Sequence, residues 1–453
     1  LRPAVRGKTL QTHGSTARDA PAHGPPDAAT HAGGRGARPR RGYPVARAAM
    51  KRGRVVSRVV NRSLLESPNA MPPFPWWDRL EADFADRDED FGLALEDRLQ
   101  VGATAALDVL VRTAAATAVG ALAFPLGYHP RAIQRVRGEA ALYTAAADAG
   151  DPDLFFRRPP DEVTVRARSA PPGHFVPAKG ACRDLSFDSP FVPLNPRLHE
   201  RWRRHRHNSV AHARHWTHDE GPRPTLVAIH GFGAEAHWLN EWFFQLPDLY
   251  AMGYDVMLFT LPFHGPRQGR LSPFSGHGFF AGGVEGIAEA VGQAVLDFRI
   301  FLDHLLRQGA PRVGVTGISL GGYTSAMLAA VEPRLHFVLP NVPVASLPDL
   351  VLEWRPLGGV VKALLRRLDS SIHEARHLLA SACPLSYPPR LPRERLMIIG
   401  GAGDRMAPPN HARLLWDHWG RCRLHWFPGS HLVHLDKGDY VREMARFFKA
   451  VGF

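Results

Sequence analysis

The sequence predicts an α/β fold in which helices cover both faces of a mostly parallel central sheet. From about residue 208 to residue 453, short apolar runs of strand character alternate with longer helix-forming segments. This alternation is typical of parallel sheets whose strands are joined by crossover helices. The hydrophobic fraction of 45% is ordinary for a globular protein, so the 453 residues provide enough apolar side chains for a sizeable core.

The individual elements of residues 201–453 follow from where the apolar runs stop at glycine, proline or other turn residues. The predicted strands are NSVAHARHWTH, PTLVAIHGFG, YDVMLFTLPFHGPRQ, RVGVTGIS, LHFVLPN, RLMIIGGAGD and CRLHWFPGSH. The predicted helices are residues 284–308, YTSAMLAAVEP, a helix from Asn410 and DYVREMARFFKAV. Residues of about 342–394 also contain helix-forming runs, whose apolar face is formed by Val360, Val361, Leu364, Leu365 and Leu368.

Residues 1–70 are strongly basic. They hold 14 Lys and Arg against 3 Asp and Glu, which is +11 of the formal net charge of +13. They are poor in large apolar groups, so we expect a disordered basic tail. Three roles remain open for it: binding to nucleic acid or anionic lipid, targeting, or an extension without function upstream of a start at Met50 or Met71.

Residues 71–200 are expected to form a helical N-terminal segment, over 76–147, and a Pro-rich connection. The segment could extend the cap, cover a sheet edge or make a dimer contact. Its most apolar stretch, Thr113 to Tyr128, is predicted to be a buried or interfacial helix, with membrane-surface contact as an alternative. The three cysteines, Cys182, Cys383 and Cys422, give no disulfide framework, so a reducing, cytoplasmic location is expected.

The stretch VGVTGISLGGY contains a Gly-x-Ser-x-Gly pattern centred on Ser319. A strand is predicted before it and a helix after it, which is the context in which this pattern forms a sharp turn with an exposed serine. Gly317 and Gly321 would let neighbouring backbone pass close to the turn. Ser319 is either a nucleophile or a small polar residue in a glycine-rich turn. The nucleophile hypothesis requires a histidine and a carboxylate at later strand ends.

Two residues meet that requirement. Asp404 follows the strand in IIGGAGDRMAPP, and His431 follows the next strand in HWFPGSHLVH. Sites on parallel sheets lie at the carboxyl ends of strands, where both residues fall. His431 is predicted to be the base, and Asp404 to orient it and stabilise the imidazolium. Asp349 and His434 remain alternatives for the acid and the base.

Residues from about 208 to 453 resemble the α/β-hydrolase superfamily of serine esterases, lipases and related enzymes. The resemblance rests on HGFG, GISLGG, GAGD and PGSH, in this order. It implies an oxyanion hole made by the backbone N–H groups of Leu320 and Phe232, with Gly233 as the alternative second donor. It also implies that His230 holds its loop, and that a helical cap is inserted at about residues 342–394. Acyl transfer would proceed through an acyl-enzyme without a metal or organic cofactor.

Other polar residues are assigned to the surroundings of the site. His230, His264 and Tyr323 are possible pocket residues. Arg267 and Arg270 are expected at the surface, although they could meet a carboxylate or phosphate. The histidines between residues 199 and 218 are not expected to bind a metal, because no cysteine or carboxylate framework completes a site.

The sequence therefore predicts a serine hydrolase that cuts a carboxylic ester carrying an apolar group. The aromatic side chains of the loop GPRQGRLSPFSGHGFF favour such a substrate. An amide or thioester hydrolase with the same triad remains open. So does a non-catalytic protein of this fold whose basic tail contacts nucleic acid or acidic lipid, although nucleic acid is not the expected partner.

Overall fold

The computed structural model describes residues 75–84, 87, 91 and 95–453, apart from 172–174 and 436. The predicted basic tail, residues 1–70, lies outside the described residues. The strands are β1 (Arg166–Ser169), β2 (Gly180–Asp188), β3 (Val210–His218), β4 (Thr225–Ile229), β5 (Asp255–Phe259), β6 (Val313–Ile318), β7 (Phe337–Asn341), β8 (Met397–Gly401) and β9 (Arg423–Phe427).

Most of the helices lie between these strands or precede them. They are α1 (Trp76–Arg79), α2 (Leu95–Ala118), α3 (Phe124–Gly127), α4 (Pro130–Gly138), α5 (Ala141–Asp148), α6 (His199–Arg204), α7 (His237–Phe243), α8 (Leu246–Ala251), α9 (His277–Ala281), α10 (Gly283–Arg307), α11 (Leu320–Val331), α12 (Leu347–Glu353), α13 (Leu357–Arg367), α14 (Ile372–Leu378), α15 (Pro409–His418) and α16 (Lys437–Ala450). A π-helical turn, Val119–Ala123, joins α2 to α3. Short 3₁₀ turns are Pro152–Leu154, Pro196–Leu198, Gly265–Arg267, Ala380–Ala382, Pro384–Ser386 and Arg393–Arg395.

Within the described residues, nine strands form one sheet in the order β1-β2-β3-β5-β4-β6-β7-β8-β9. The strands from β4 to β9 are parallel to their neighbours among themselves, whereas the pairs β1–β2, β2–β3 and β3–β5 are antiparallel. Strand β4 has β5 on one side and β6 on the other. The loops that leave β4 and β6 therefore meet at a switch point, where parallel sheets bind their ligands.

Helices cover both faces of the sheet, as predicted, and the alternation along each strand decides which core a side chain enters. Along β4, Val227 and Ile229 pack into a core with α10 and α11, whereas Leu226 and Ala228 face a second core with α8 and α16. The buried strands read as continuous apolar runs because both of their faces are covered. The predicted α/β class with a mostly parallel sheet is confirmed.

The N-terminal helical segment packs against the predicted cap insertion. The indole N–H of Trp76 donates to Ser386 Oγ at 2.8 Å, and the His373 ring hydrogen-bonds to the Trp77 carbonyl oxygen at 2.7 Å. The segment also meets α10, where Gly127 and Gly283 cross so closely that a Cβ on Gly127 would lie 2.3 Å from the Gly283 nitrogen. The N-terminal helical segment thus contacts both the predicted cap insertion and α10.

The apolar stretch Thr113 to Tyr128 belongs to a long helical run rather than to a short buried helix. The run Arg98–Gly127 is long and apolar enough to cross a membrane, by length and composition alone, and 17% of its most apolar window is buried. One helix of this kind is weak evidence for a membrane protein. Ala116, Val119 and Ala123 are buried, whereas Leu122 and Leu126 are exposed, so neighbours cover one side of the stretch. This agrees with the interfacial form of the prediction and not with full burial.

Candidate active site

Ser319 occupies a sharp turn between a strand and a helix. Strand β6 ends at Ile318, and α11 begins at Leu320. Ser319 has φ 59° and ψ −113°, and its N–H donates to the Asn341 carbonyl oxygen at 3.1 Å. A positive φ is uncommon for a residue with a Cβ, and such strain persists only where the surrounding structure fixes it. The turn therefore presents the side chain at the carboxyl edge of the sheet.

The two glycines of the pattern are required by close backbone approach. A Cβ on Gly317 would lie 2.2 Å from the Gly321 carbonyl oxygen, and a Cβ on Gly321 would lie 2.0 Å from the Ile229 carbonyl oxygen. Neither position has room for a side chain. The loop after β4 also lies against the turn, since a Cβ on Gly231 would lie 3.4 Å from Ser319 Cβ.

Asp404 lies in the turn after β8, His431 lies in the turn after β9, and the two side chains form a buried pair. The His431 Nδ1 atom lies 2.6 Å from Asp404 Oδ2. The other carboxylate oxygen, Oδ1, accepts the N–H groups of Met406 and Ala407, each at 2.8 Å. An ionised carboxylate only accepts hydrogen bonds, so Nδ1 carries the proton and Nε2 is left with its lone pair. This is the tautomer that a general base needs.

Burial and charge act in opposite directions on this pair. Burial lowers the pKa of His431, but the charge of Asp404, its hydrogen bond and the charge of Asp108 together raise that pKa above its ordinary value. Burial raises the pKa of Asp404, and the neighbouring His431 opposes that rise. The imidazolium form of His431 is therefore stabilised by two carboxylates.

Ser319 and His431 line one cavity of about 70 Å³, which we call the serine cavity. Leu320 and Phe232, the two residues expected to supply the oxyanion hole, line it as well. Gly233, the alternative donor, is not among the described residues that line this cavity, and its φ is +68°. The predicted nucleophile, base and both main oxyanion donors therefore surround the same space.

The three possible pocket residues lie behind the cavity. Among the described residues, neither His230, His264 nor Tyr323 lines it. His230 Nδ1 donates to the Gly231 carbonyl oxygen at 2.8 Å, and Nε2 accepts the Leu261 N–H at 3.1 Å. The bond to Leu261, which follows β5, ties the loop after β4 to the neighbouring loop.

His264 and Tyr323 support the site from within the core. Burial lowers the pKa of His264 to about 3, and its ring lies 5.8 Å from the ring of Phe232. The Tyr323 hydroxyl donates to the Ala382 carbonyl oxygen, in the 3₁₀ turn Ala380–Ala382. His264 Nδ1 donates to the Pro262 carbonyl oxygen at 2.8 Å.

The alternative acid and base are held elsewhere. Asp349 accepts from Arg376 Nη2 at 2.7 Å and from Ser346 Oγ, and its carboxylate is buried with that arginine. The His434 ring packs 4.1 Å from the ring of Phe427. Among the described residues, neither Asp349 nor His434 lines the serine cavity.

The expectation that Arg267 lies at the surface was wrong. Its side chain is fully buried, and Nη2 lies 2.7 Å from Asp297 Oδ2. The same nitrogen donates to the Asn208 carbonyl oxygen at 2.9 Å. The partner carboxylate comes from α10, so the ion pair fastens the loop after β5 to that helix. Arg270 does line a separate open cleft at the surface.

Asp108, on α2, is a residue of the site that the sequence did not indicate. Its carboxylate is fully buried, and Oδ2 accepts the N–H of His431 at 2.8 Å and the N–H of Arg405 at 3.0 Å. Oδ1 accepts from Ser430 Oγ at 2.9 Å and from the Leu432 N–H at 3.2 Å. One carboxylate thus holds the loop that carries Asp404 and the loop that carries His431.

Nothing local in the sequence marks this role. Asp108 stands in AALDVLVR, where an aspartate on an amphipathic helix is ordinarily a solvated charge. Its four donors lie about three hundred positions further along the chain. The only local signal is a single carboxylate between apolar residues, and this signal is too weak on its own to predict a role in the site.

Comparison with known proteins gives relatives of this chain. No protein-family model matches it. It is 30% identical over 318 residues to uncharacterized protein Rv2627c of Mycobacterium tuberculosis (strain ATCC 25618 / H37Rv), an alignment that covers 68% of this chain and 73% of that protein. The same identity and coverage hold for uncharacterized protein MT2702 of Mycobacterium tuberculosis (strain CDC 1551 / Oshkosh). The chain belongs to the family of these two proteins. Its strand order and its serine turn are those of an α/β-hydrolase fold.

Solved structures of low sequence identity are similar to this chain. Acetyl Xylan Esterase 1 from Thermoanaerobacterium sp. JW/SL YS485 matches with a TM-score of 0.48 and 18% identity, over 70% of this chain and 98% of that one. The acetyl xylan esterase from Paenibacillus sp. R4 matches with a TM-score of 0.48 and 16% identity, over 69% of this chain and 94% of that one. Similarity of this degree does not transfer a substrate.

Proposed function

We propose that this protein is a serine hydrolase that cuts a small carboxylic ester carrying an apolar group. Ser319 is the nucleophile, His431 the general base and Asp404 the residue that orients and stabilises the imidazolium. The observation that carries the proposal is the serine cavity, which brings the strained serine together with a histidine paired to a buried carboxylate.

The reaction follows from these positions. His431 Nε2 takes the hydroxyl proton as Ser319 Oγ attacks the ester carbonyl carbon, and the carbonyl π electrons move to oxygen. The resulting oxyanion accepts hydrogen bonds from the backbone N–H groups of Leu320 and Phe232. When the tetrahedral intermediate collapses, the C–O bond to the alcohol breaks, and the alcohol leaves with the proton from His431.

The second half of the reaction repeats these steps with water. His431 removes a proton from water, whose oxygen attacks the acyl carbon, and the acid is released as Ser319 recovers its proton. These steps use no metal ion or organic cofactor. The raised pKa of His431 suits a group that must hold a proton through each tetrahedral intermediate.

The walls of the serine cavity favour an apolar substrate group. They include Phe232, Phe243, Phe280 and Trp354 beside few polar side chains. Such walls stabilise a ligand because its apolar surface is removed from water. A few hydrogen bonds to the ester carbonyl then fix the orientation of the ligand. An amide or thioester would fit the same groups, so substrate analogues decide between them.

The test is labelling with a fluorophosphonate probe, followed by hydrolysis of p-nitrophenyl butyrate and its thioester and anilide analogues. Ser319→Ala should abolish labelling and lower kcat by at least about 10⁴-fold. The control is Ser209→Ala, which removes an exposed serine hydroxyl bonded to the Arg206 carbonyl oxygen. Folded wild-type protein that takes up no probe and cuts none of the three analogues would instead favour a binding protein of this fold.

A further inference from the structure

A second cavity adjoins the serine cavity, and we call it the inner cavity. It has a volume of about 110 Å³ and is lined by twenty described residues. Tyr128 and Ser370 carry polar side chains, and the other lining residues are apolar. Phe280 and Leu347 line both cavities, so these two side chains form the boundary between them.

Three separate parts of the chain build the inner cavity. The N-terminal segment contributes Val119 and Phe124, α10 contributes Ile287, and the predicted cap insertion contributes Leu357 and Val361. The chain thus keeps an apolar space where its first helices meet its cap. An unfilled apolar space destabilises a fold, because the atoms around it lose dispersion contacts that a packed core would provide.

The chemistry of the lining limits what occupies this space. Water needs two to four polar partners, and a charged group needs a counter-charge. The lining holds two hydroxyl groups, of which that of Ser370 already donates to Glu374 at 2.6 Å, and no charged side chain. A hydrocarbon group has no hydrogen bonds to lose on entering, and removing its apolar surface from water is favourable. Phe280 and Leu347 stand between the two cavities, and an unbranched chain would displace these side chains less than a branched or ring-shaped group.

We propose that the inner cavity binds the linear aliphatic chain of the substrate while the ester carbonyl lies at Ser319. This assignment rests on the proposed ester hydrolysis and narrows its substrate class to esters with an extended alkyl chain. The chain passes between Phe280 and Leu347 and ends among the side chains of α13. Either the acyl part or the alcohol part of the ester can carry it, and two substrate series distinguish these sources.

The experiment compares Val361→Trp with Val360→Trp. Both residues lie on α13, but Val361 lines the inner cavity whereas Val360 is 53% exposed. The first variant fills the cavity, and the second makes the same change on the outer side of the helix. The kcat/KM is measured for p-nitrophenyl esters from acetate to palmitate, and for acetates of alcohols from ethanol to hexadecanol.

We expect Val361→Trp to stay within twofold of wild type on the shortest esters and to lose at least tenfold on the longest ones. Val360→Trp should keep the wild-type profile. The series whose optimum moves to shorter chains identifies the part of the ester that the cavity holds. An unchanged length profile in both series, or an equal loss for both variants at every length, overturns the assignment.

A binding measurement separates this assignment from the proposed function. A fluorescent C18 fatty acid is titrated into Ser319→Ala protein with and without Val361→Trp. If wild-type protein cuts no ester, but Val361→Trp weakens fatty acid binding at least tenfold, the inner cavity binds an aliphatic chain and the hydrolase is rejected. Ester hydrolysis that depends on Ser319, without chain-length selectivity or fatty acid binding, rejects the cavity assignment and supports the hydrolase.

Discussion

Replacing Asp108 with asparagine tests whether the site depends on the helix before the sheet. Asparagine keeps the size of the side chain, but its NH₂ group cannot accept a hydrogen bond. Each carboxylate oxygen of Asp108 now accepts two donors, from Ser430 and Leu432 on one side and from His431 and Arg405 on the other. Whichever way the amide points, two donors lose their acceptor.

The magnitude follows from those bonds. A hydrogen bond to a charged acceptor contributes about 1.5–3 kcal/mol, so the loss of two costs about 3–6 kcal/mol of unfolding free energy. Asparagine has no charge to bury, and this offsets part of the loss. We therefore expect a destabilisation near the lower end, about 3 kcal/mol, measured by urea unfolding.

The variant should also change the reaction. Without the link between the two loops, the reacting groups of Asp404 and His431 are less well placed, and misplacement of about 1 Å lowers the rate by about 10²-fold. The charge of Asp108 raises the pKa of His431, so its removal should move the acid limb of kcat/KM to lower pH. The pH profile is measured at a temperature where the variant stays folded.

Asp255→Asn is the matched control. Asp255 is also buried, and it accepts from the His218 N–H at 2.9 Å and the Arg223 N–H at 3.3 Å, but at the amino end of β5. It should lose stability without moving the pH profile. If Asp108→Asn keeps the wild-type acid limb and rate while folded, Asp108 stabilises the fold alone and the reasoning fails.

Three further outcomes are expected. In wild-type protein, kcat/KM should rise with pH along a limb centred above 6.5, because the proposed base His431 has to lose its proton to act and its pKa is raised from that value; a limb at or below 6.5 contradicts this. Gly321→Ala should abolish fluorophosphonate labelling and cost about 1–3 kcal/mol in urea unfolding, since the new Cβ would meet the Ile229 carbonyl oxygen; normal labelling would show that the turn adapts. Arg267→Met should cost about 3–5 kcal/mol in the same assay by leaving Asp297 buried and unpaired, and a loss below 1 kcal/mol would mean that water reaches the carboxylate.

The sheet was predictable because its strands carry a strong local signal. The run PTLVAI becomes β4, Thr225–Ile229, in which every residue is buried. The helix predicted at 284–308 is α10, Gly283–Arg307. By contrast, β1, Arg166–Ser169, is exposed along its whole length, and its letters RARS show no apolar alternation. Its pairing with β2 creates the strand, and composition does not record such pairing.

Some residues of the candidate site were likewise predictable from a local pattern, and others were not. Ser319, Asp404 and His431 each follow an apolar strand in a turn rich in glycine, so three local patterns point to one edge of the sheet. Asp108 and Arg267 have no such pattern. Asp108 acquires its role from donors about three hundred positions away, and Arg267 from a carboxylate thirty positions away on another helix. A single sequence does not show which distant residues will pair with a buried charge, so these two roles could not be predicted.

The hydrogen bond between Asp108 and His431 also bears on the order in which the protein matures. These residues are 323 positions apart, and the entropy needed to close so long a loop grows only slowly with its length. Contacts of high sequence separation slow folding, so we expect this one to form late. Synthesis delivers α2 before the loop after β9. In the proposed mechanism, a nascent chain therefore carries its serine turn well before it has its base. During refolding, activity should return after most of the helical signal has been recovered.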